Sequence, residues 1–260
     1  MRARRSSYSL KGYKIIQLLY NGATTQTYKV VSDAGLQFVA KFLQKKDEHA
    51  LTEIEIVKKM HHKYILEFNN MLETDTEFVM LCPFYQSLAL HYVQSIDGFT
   101  PQRLATLFYK ILVGLKYIHN MKIIHGDIRP ENIIVSTENN EETPHIIDFG
   151  ISHYEGQPFD NTLTTPAYKP PEQDLTFKSD IYSLGLAFYV CFSQIQTASQ
   201  IRMHQLFSEK AWASSNPLLI DLIKNMIERD VEKRFSLEDC LNHPYFTEQI
   251  DETTRSTIMC

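Results

Sequence analysis

The chain contains no run of about 18 apolar residues, so no membrane-spanning helix is expected. Its start, Met1-Arg2-Ala3-Arg4-Arg5-Ser6-Ser7, lacks the apolar stretch of a secretory signal and reads as a short solvated tail. Cysteine is scarce. Cys82, Cys191, Cys240 and Cys260 are widely spaced and form no C-x-x-C pair, which excludes a disulfide framework and a zinc site. Reduced thiols point to an intracellular setting, cytoplasmic or nuclear. Cys260 is the last residue and not the fourth from the end, so the prenylation pattern is missing. There is no basic excess either. The net charge of −5 gives no reason to expect nucleic acid or a membrane surface as a partner. No internal repeat or low-complexity block is visible, and the single tryptophan, Trp212, reads as packing in a late helical region.

What is present is ordinary in amount and informative in order. With 260 residues, 43% hydrophobic and 22% charged, the chain can bury a sizeable core. Segments 13–18, 27–31 and 38–42 alternate apolar and polar residues and are separated by Asn21-Gly22 and Asp33-Ala34-Gly35, which suggests three strands in a meander. Residues 47–60 switch to helical spacing, with Leu51, Ile54, Val57 and Met60 expected on one face. Two further strands are expected near 66–72 and 77–82. From Thr100-Pro101, an N-cap followed by a first-position proline, the apolar spacing predicts a long helix. Others are expected over 178–190, 217–228 and 236–242, and the polar stretch 136–144 reads as a solvated hairpin loop. The class is α+β: a small β-rich lobe with one helix, then a larger, mainly helical lobe. The expected division is a tail over 1–10, lobes over 11–84 and 85–247, and a C-terminal tail over 248–260.

Two polar clusters at the ends of apolar runs carry the chemistry. Ile123-Ile124 leads into His125-Gly126-Asp127-Ile128-Arg129-Pro130-Glu131-Asn132, and Ile146-Ile147 leads into Asp148-Phe149-Gly150. Phosphoryl transfer from a nucleotide needs a carboxylate to accept a hydroxyl proton, a cation near the moving group, and oxygen ligands for metal ions. These segments resemble the eukaryotic protein kinase family, serine/threonine type, and the resemblance covers nearly the whole chain. It implies a two-lobed kinase fold that moves the γ-phosphoryl group of ATP to a Ser or Thr hydroxyl of a protein substrate. On this resemblance Asp127 is the catalytic base, Asn132 and Asp148 are ligands for Mg²⁺, and Arg129 stands where a lysine is usual. Lys41, in Val39-Ala40-Lys41, would hold the nucleotide phosphates and pair with Glu53, leaving Glu55 as a surface charge. Leu19, Gly22 and Ala40 would also line the nucleotide. Thr165, in Thr164-Thr165-Pro166-Ala167-Tyr168-Lys169-Pro170-Pro171-Glu172, would bridge toward the catalytic aspartate. Glu172 would pair with Arg234, Asp180 would hold the catalytic-loop backbone, and Val57, Phe68, His125 and Phe149 would stack as an internal spine.

The pattern also breaks. The glycine-rich turn of the family would fall on Leu19-Tyr20-Asn21-Gly22-Ala23-Thr24-Thr25-Gln26-Thr27, where only Gly22 remains. Glycine permits positive φ and close backbone approach to phosphate. Tyr20 and Thr25 should therefore weaken the clamp, and glycine restored at both should tighten it. A non-catalytic scaffold with the same fold is the alternative reading on this ground. Gly126 replaces the arginine that captures a loop phosphate in many kinases, so activity is expected without phosphorylation at Thr162 or Thr164. His61-His62 reads as a turn and not a metal site. A separate regulatory subunit is left open, and 194–216 is the stretch expected to carry partner contacts.

Overall fold

The computed structural model describes residues 10–22, 25–85, 87–89, 100–193 and 216–260. Trp212 and nearly all of 194–216 lie outside these residues, as does the basic start of the chain. The chain divides into two compact units. Met1–His61 and Leu66–Gln86 form one, and His62–Ile65 with Ser87–Cys260 form the other.

The first unit is a five-stranded antiparallel sheet with one helix. Strands β1 (Tyr13–Asn21), β2 (Thr25–Ser32), β3 (Gln37–Gln44), β4 (Asn70–Glu73) and β5 (Glu77–Pro83) lie in the order β1-β2-β3-β5-β4. Successive side chains of a strand point to opposite faces. One face gathers Tyr28, Val30, Ala40, Phe42, Val79 and Leu81 with Leu10 into a buried cluster. Helix α1 (Glu48–Lys59) starts at Asp47, whose carboxylate accepts from His49 N at 3.0 Å. Its buried side chains are Ala50, Glu53, Ile54, Ile56 and Val57. Leu51, expected on the inner face, is 60% exposed. The stripe begins at the small Ala50, which the apolar spacing alone does not single out, and the larger Leu51 falls 100° away from it.

The second unit contains a long helix, α2 (Pro101–Asn120), capped by Thr100 Oγ1, which accepts from Arg103 N at 3.2 Å. Strands β6 (Ser87–Ala89), β8 (Ile133–Glu138) and β9 (Glu141–Ile146) form a sheet in the order β6-β8-β9, and β7 (Ile123–Ile124) pairs with β10 (His153–Tyr154). The stretch 136–144 is therefore mostly paired strand, not loop. Asn139 and Asn140 make its two-residue turn with φ of 50° and 64°. Asparagine tolerates this left-handed backbone, which a primed hairpin turn requires. Helices α3 (Phe177–Ser193), α4 (Pro217–Met226), α5 (Leu237–Leu241), α6 (Pro244–Gln249) and α7 (Glu252–Met259) follow. Residues 248–260, expected as a tail, include α7, which Asp251 caps through Thr254 N at 2.9 Å and which buries Ile258.

The segment His62–Ile65 packs within this second unit. Tyr64 lies against Gly114, where an added Cβ would sit 3.0 Å from Tyr64 Cβ. Ile146 N donates to Tyr64 O at 2.9 Å, and Ile65 bridges Ile146 in a parallel pairing. His62 stacks on Tyr117 with ring centroids 4.8 Å apart, and its Nδ1 accepts from Tyr64 N at 3.2 Å. That histidine serves a turn. Among the described residues, no group of three His, Cys, Asp or Glu side chains is placed to hold a metal ion.

Candidate active site

In the first unit, Lys41 Nζ lies 2.6 Å from Glu53 Oε1, and the Glu53 side chain is only 2% exposed. A buried carboxylate must be paired, and Lys41 is the cation that β3 offers. Glu55, two residues on and about 200° around the helix, pairs with Lys59 at 2.6 Å on the surface. The helix face alone separates the two glutamates.

The strand register assigns the neighbours of Lys41. Tyr20 pairs with Thr27, Thr27 with Lys41, Lys41 with Met80, and Met80 with Met71. Residues paired across strands share a face, so this row spans all five strands. Ala40, expected at the nucleotide, is fully buried in the cluster on the opposite face. The strand neighbours of Lys41 on its own side are Val39, which pairs with Cys82, and Leu43, which pairs with Phe78. The period of two was the signal available in the sequence: the residue facing with Lys41 is its i−2 neighbour, not i−1. Leu19 is 42% exposed, between the Leu18–Tyr28 and Tyr20–Thr27 pairs where the register slips. Gly22 does not adopt positive φ. The constraint on it is space, because an added Cβ would lie 2.6 Å from Tyr20 Cε1.

In the second unit, the loop after β7 turns at Gly126, with φ +80°. Asp127 follows, and both its oxygens are engaged. Thr165 donates to Oδ1 through Oγ1 at 2.6 Å and through its backbone N at 3.3 Å. Asn132 Nδ2 donates to Oδ2 and to the Asp127 carbonyl, both at 2.9 Å. Arg129 Nη1 donates to Thr165 Oγ1 at 3.0 Å, and Arg129 Nε stands 4.0 Å from Asp127 Oδ2. Thr165 thus links the guanidinium to the carboxylate. With the Asn132 amide nitrogen spent on Asp127, its carbonyl oxygen is the atom of that amide suited to a hard cation.

The two sequence clusters are tied by backbone. Ile147 N donates to Asn132 O at 2.9 Å, His125 Nε2 lies 3.1 Å from Ile147 O, and the His125 and Phe149 rings are 5.1 Å apart. Val57 and Phe68 belong to the other unit. Asp148 is exposed and has φ +67°, and its Oδ1 accepts from Gly150 N at 3.3 Å. A non-glycine residue held left-handed costs about 1–2 kcal/mol, and such strain gathers at functional positions.

Asp180 anchors the loop from below. Its Oδ2 accepts from His125 N and its Oδ1 from Gly126 N, each at 2.9 Å, and His119 Nε2 is 2.9 Å from Oδ2. Burial alone would raise this carboxyl. The His119 hydrogen bond and charge, the His125 charge and the Gly126 N–H outweigh it and hold the pKa below the ordinary value. Sequence reasoning missed His119, since nothing in its context links it to a residue 61 positions away. Arg234, 1% exposed, grips Glu172 with two bonds of 2.7 and 2.9 Å. In the segment between Asp148 and Glu172, Thr164 is buried and donates to Asn161 O at 2.8 Å, while Thr162 is exposed and bonds Asp160.

A family model described as the protein kinase domain matches residues 13–246. The chain belongs to the protein kinase family. Domains of this kinase family use ATP and a divalent metal. Curated kinases resemble it at modest identity. Death-associated protein kinase 2 of Mus musculus is 26% identical over 82% of this chain and 65% of its own length. The meiosis-specific serine/threonine-protein kinase mek1 of Schizosaccharomyces pombe is 27% identical over 95% and 62%. The DNA damage response protein kinase DUN1 of Saccharomyces cerevisiae is 27% identical over 79% and 48%. The chain therefore spans about half to two thirds of the length of these kinases.

Proposed function

We propose that this chain is a serine/threonine protein kinase that transfers the γ-phosphoryl group of ATP, with Mg²⁺, to a hydroxyl of a protein substrate. The observation that carries the reading is the Asp127–Thr165–Arg129 arrangement, in which a carboxylate is fixed by two neutral donors beside a guanidinium. The donor set suits the cofactors. The Asn132 carbonyl oxygen and the Asp148 carboxylate are hard ligands for Mg²⁺, and Lys41, held by Glu53, is a cation for the α and β phosphates. Bound ATP with Mg²⁺ supplies the activated phosphoryl group and neutralises its charge.

The chain's own residues do the rest. Asp127 orients the substrate hydroxyl and accepts its proton. Thr165 and Asn132 prevent the carboxylate from rotating away, so little reorganisation is needed during transfer. Arg129 places positive charge beside the aspartate. Thr165 at the carboxylate favours serine and threonine substrates, as in the relatives whose names carry that activity. A scaffold that had lost catalysis would be expected to lack one of Lys41, Asp127, Asn132 or Asp148, and all four are present. The partners follow from the activity: a protein substrate, with a separate regulatory subunit compatible with this domain.

The test is transfer of labelled phosphate from ATP with Mg²⁺ to a generic basic protein. Asp127→Asn should lower turnover by about 10²- to 10⁴-fold, and Lys41→Met should lower it comparably, both with unchanged circular dichroism. Near-wild-type turnover in Asp127→Asn would remove Asp127 as the base.

A further inference from the structure

We propose that Tyr20 is a nucleotide-contacting residue, its ring seated on Gly22 and its phenol serving the phosphate chain where glycine backbone would otherwise approach it. This rests on the nucleotide-binding reading above and names a residue that reading does not supply.

The sheet register is the first support. Tyr20, Thr27 and Lys41 are successive partners across β1, β2 and β3, so all three side chains leave the same face. Two strand spacings, roughly 10 Å, separate Tyr20 from Lys41. Tyr20 and Lys41 thus leave the sheet on either side of the short Thr27, on one face. The opposite face is filled by the apolar cluster of Tyr28, Val30, Ala40 and Phe42.

The seat of the ring is the second support. The position that a Cβ on Gly22 would occupy lies 2.6 Å from Tyr20 Cε1, 3.0 Å from its hydroxyl oxygen and 3.1 Å from Cζ. Gly22 does not use positive φ, and its N–H is spent on Thr25 O at 2.9 Å. That donor closes the hairpin and is not offered outward. What glycine provides at this position is room for the ring. Tyr20 is 58% exposed, so burial does not hold it there. An exposed aromatic needs no explanation by itself, but here its row partners and its seat supply one. A phenol is a hydrogen-bond donor at neutral pH and reaches further than a backbone N–H. On this inference the opposite of the expectation from sequence follows: glycine restored at positions 20 and 25 together would weaken ATP binding.

The experiment is a double-mutant cycle on the ATP dissociation constant with Mg²⁺, read by calorimetry on the full chain, with adenosine as a phosphate-free control. Tyr20→Ala should weaken ATP binding about tenfold, the scale of a lost hydrogen bond to a charged group. Tyr20→Phe should lose most of the same amount for ATP and nothing for adenosine. Gly22→Ala should weaken binding by displacing the ring, yet cost less than about twofold when added to Tyr20→Ala, because the two act as one unit. Unliganded melting temperatures should match the wild type. Equal or tighter ATP binding in Tyr20→Ala overturns the inference, as does a Gly22→Ala cost that is the same with and without Tyr20. Loss of ATP and adenosine binding alike in Tyr20→Phe overturns the phosphate assignment. A wild type that binds no ATP would instead remove the nucleotide-binding reading itself, and this inference with it.

Discussion

Asp180→Asn isolates the charge that holds the catalytic loop. The substitution keeps the shape and exchanges one acceptor oxygen for an NH₂ group. Among the described residues, Oδ1 serves Gly126 N–H and Oδ2 serves His125 N–H and His119 together. The cheaper amide orientation keeps its oxygen on the His125 and His119 side and turns its NH₂ toward the Gly126 N–H. One charge-assisted bond, about 1.5–3 kcal/mol, is lost, a buried backbone donor is left unpaired, and the remaining bonds weaken to neutral strength. The expected total is about 3 kcal/mol, a large share of the roughly 5–15 kcal/mol available to a folded domain. Such a loss lowers the melting temperature by about 6–12 °C in a chain of this size. Urea denaturation with an unchanged slope measures the loss, and amide exchange at His125 and Gly126 localises it. Acidification supplies a second signature. The wild-type carboxyl titrates below its ordinary 3.8. Its contribution is therefore complete above that value and disappears as pH falls through the lowered one, an acid limb that the Asn variant should lack. A change below about 1 kcal/mol with Gly126 protection intact would show that the carboxylate charge does not hold this loop.

Arg234→Met should cost about 3–5 kcal/mol, because it abandons a half-buried carboxylate. Burial pushes Glu172 up, and Arg234 with Ser179 holds it below its ordinary value; a urea midpoint equal to wild type would contradict this. Thr165→Ala should lower kcat far more than KM, with Thr165→Ser restoring most of it, since the hydroxyl positions Asp127. On phosphatase-treated protein, Thr162→Ala should retain most activity, because among the described residues the bonds of Thr162 stay within its own turn at Asp160; loss of activity there would reveal a phosphate pocket on this loop.

The parts of the site carried by short spacings were legible in the sequence. Asp127 and Asn132 lie five residues apart and meet through that loop, and Glu53, chosen over Glu55 on the family's spacing, lies on the buried side of α1. Caps were equally local: Thr100-Pro101 begins α2 as its chemistry suggests. The failures came where two rules competed. At β3, the motif Val39-Ala40-Lys41 drew attention to the residue next to lysine, while the pleat puts that residue on the far face. At Asn139-Asn140, polarity suggested a loop, whereas backbone tolerance for positive φ made a tight hairpin. The last helix, α7, has a single buried side chain, so no stripe announced it; Asp251 starts it by capping. His119 and Asp180 were invisible as a pair because only folding brings them together.

The placement of His62–Ile65 has a consequence for exchanging parts between related chains. These four residues leave the first unit, complete the packing around Gly114 and Ile146 in the second, and return. A hybrid that transplanted residues 10–86 as one cassette would import a foreign Tyr64 equivalent into a socket shaped by the host. The host's glycine at position 114 is what lets the segment approach, because an added Cβ there would lie 3.0 Å from Tyr64 Cβ and 3.1 Å from the Tyr64 carbonyl oxygen, and a residue smaller than the buried Tyr64 would leave a hole. The seams that respect the fold lie at 61/62, 65/66 and 86/87, with the tetrapeptide kept from the host. Along this chain, a cut that follows sequence order and a cut that follows packing are different lines.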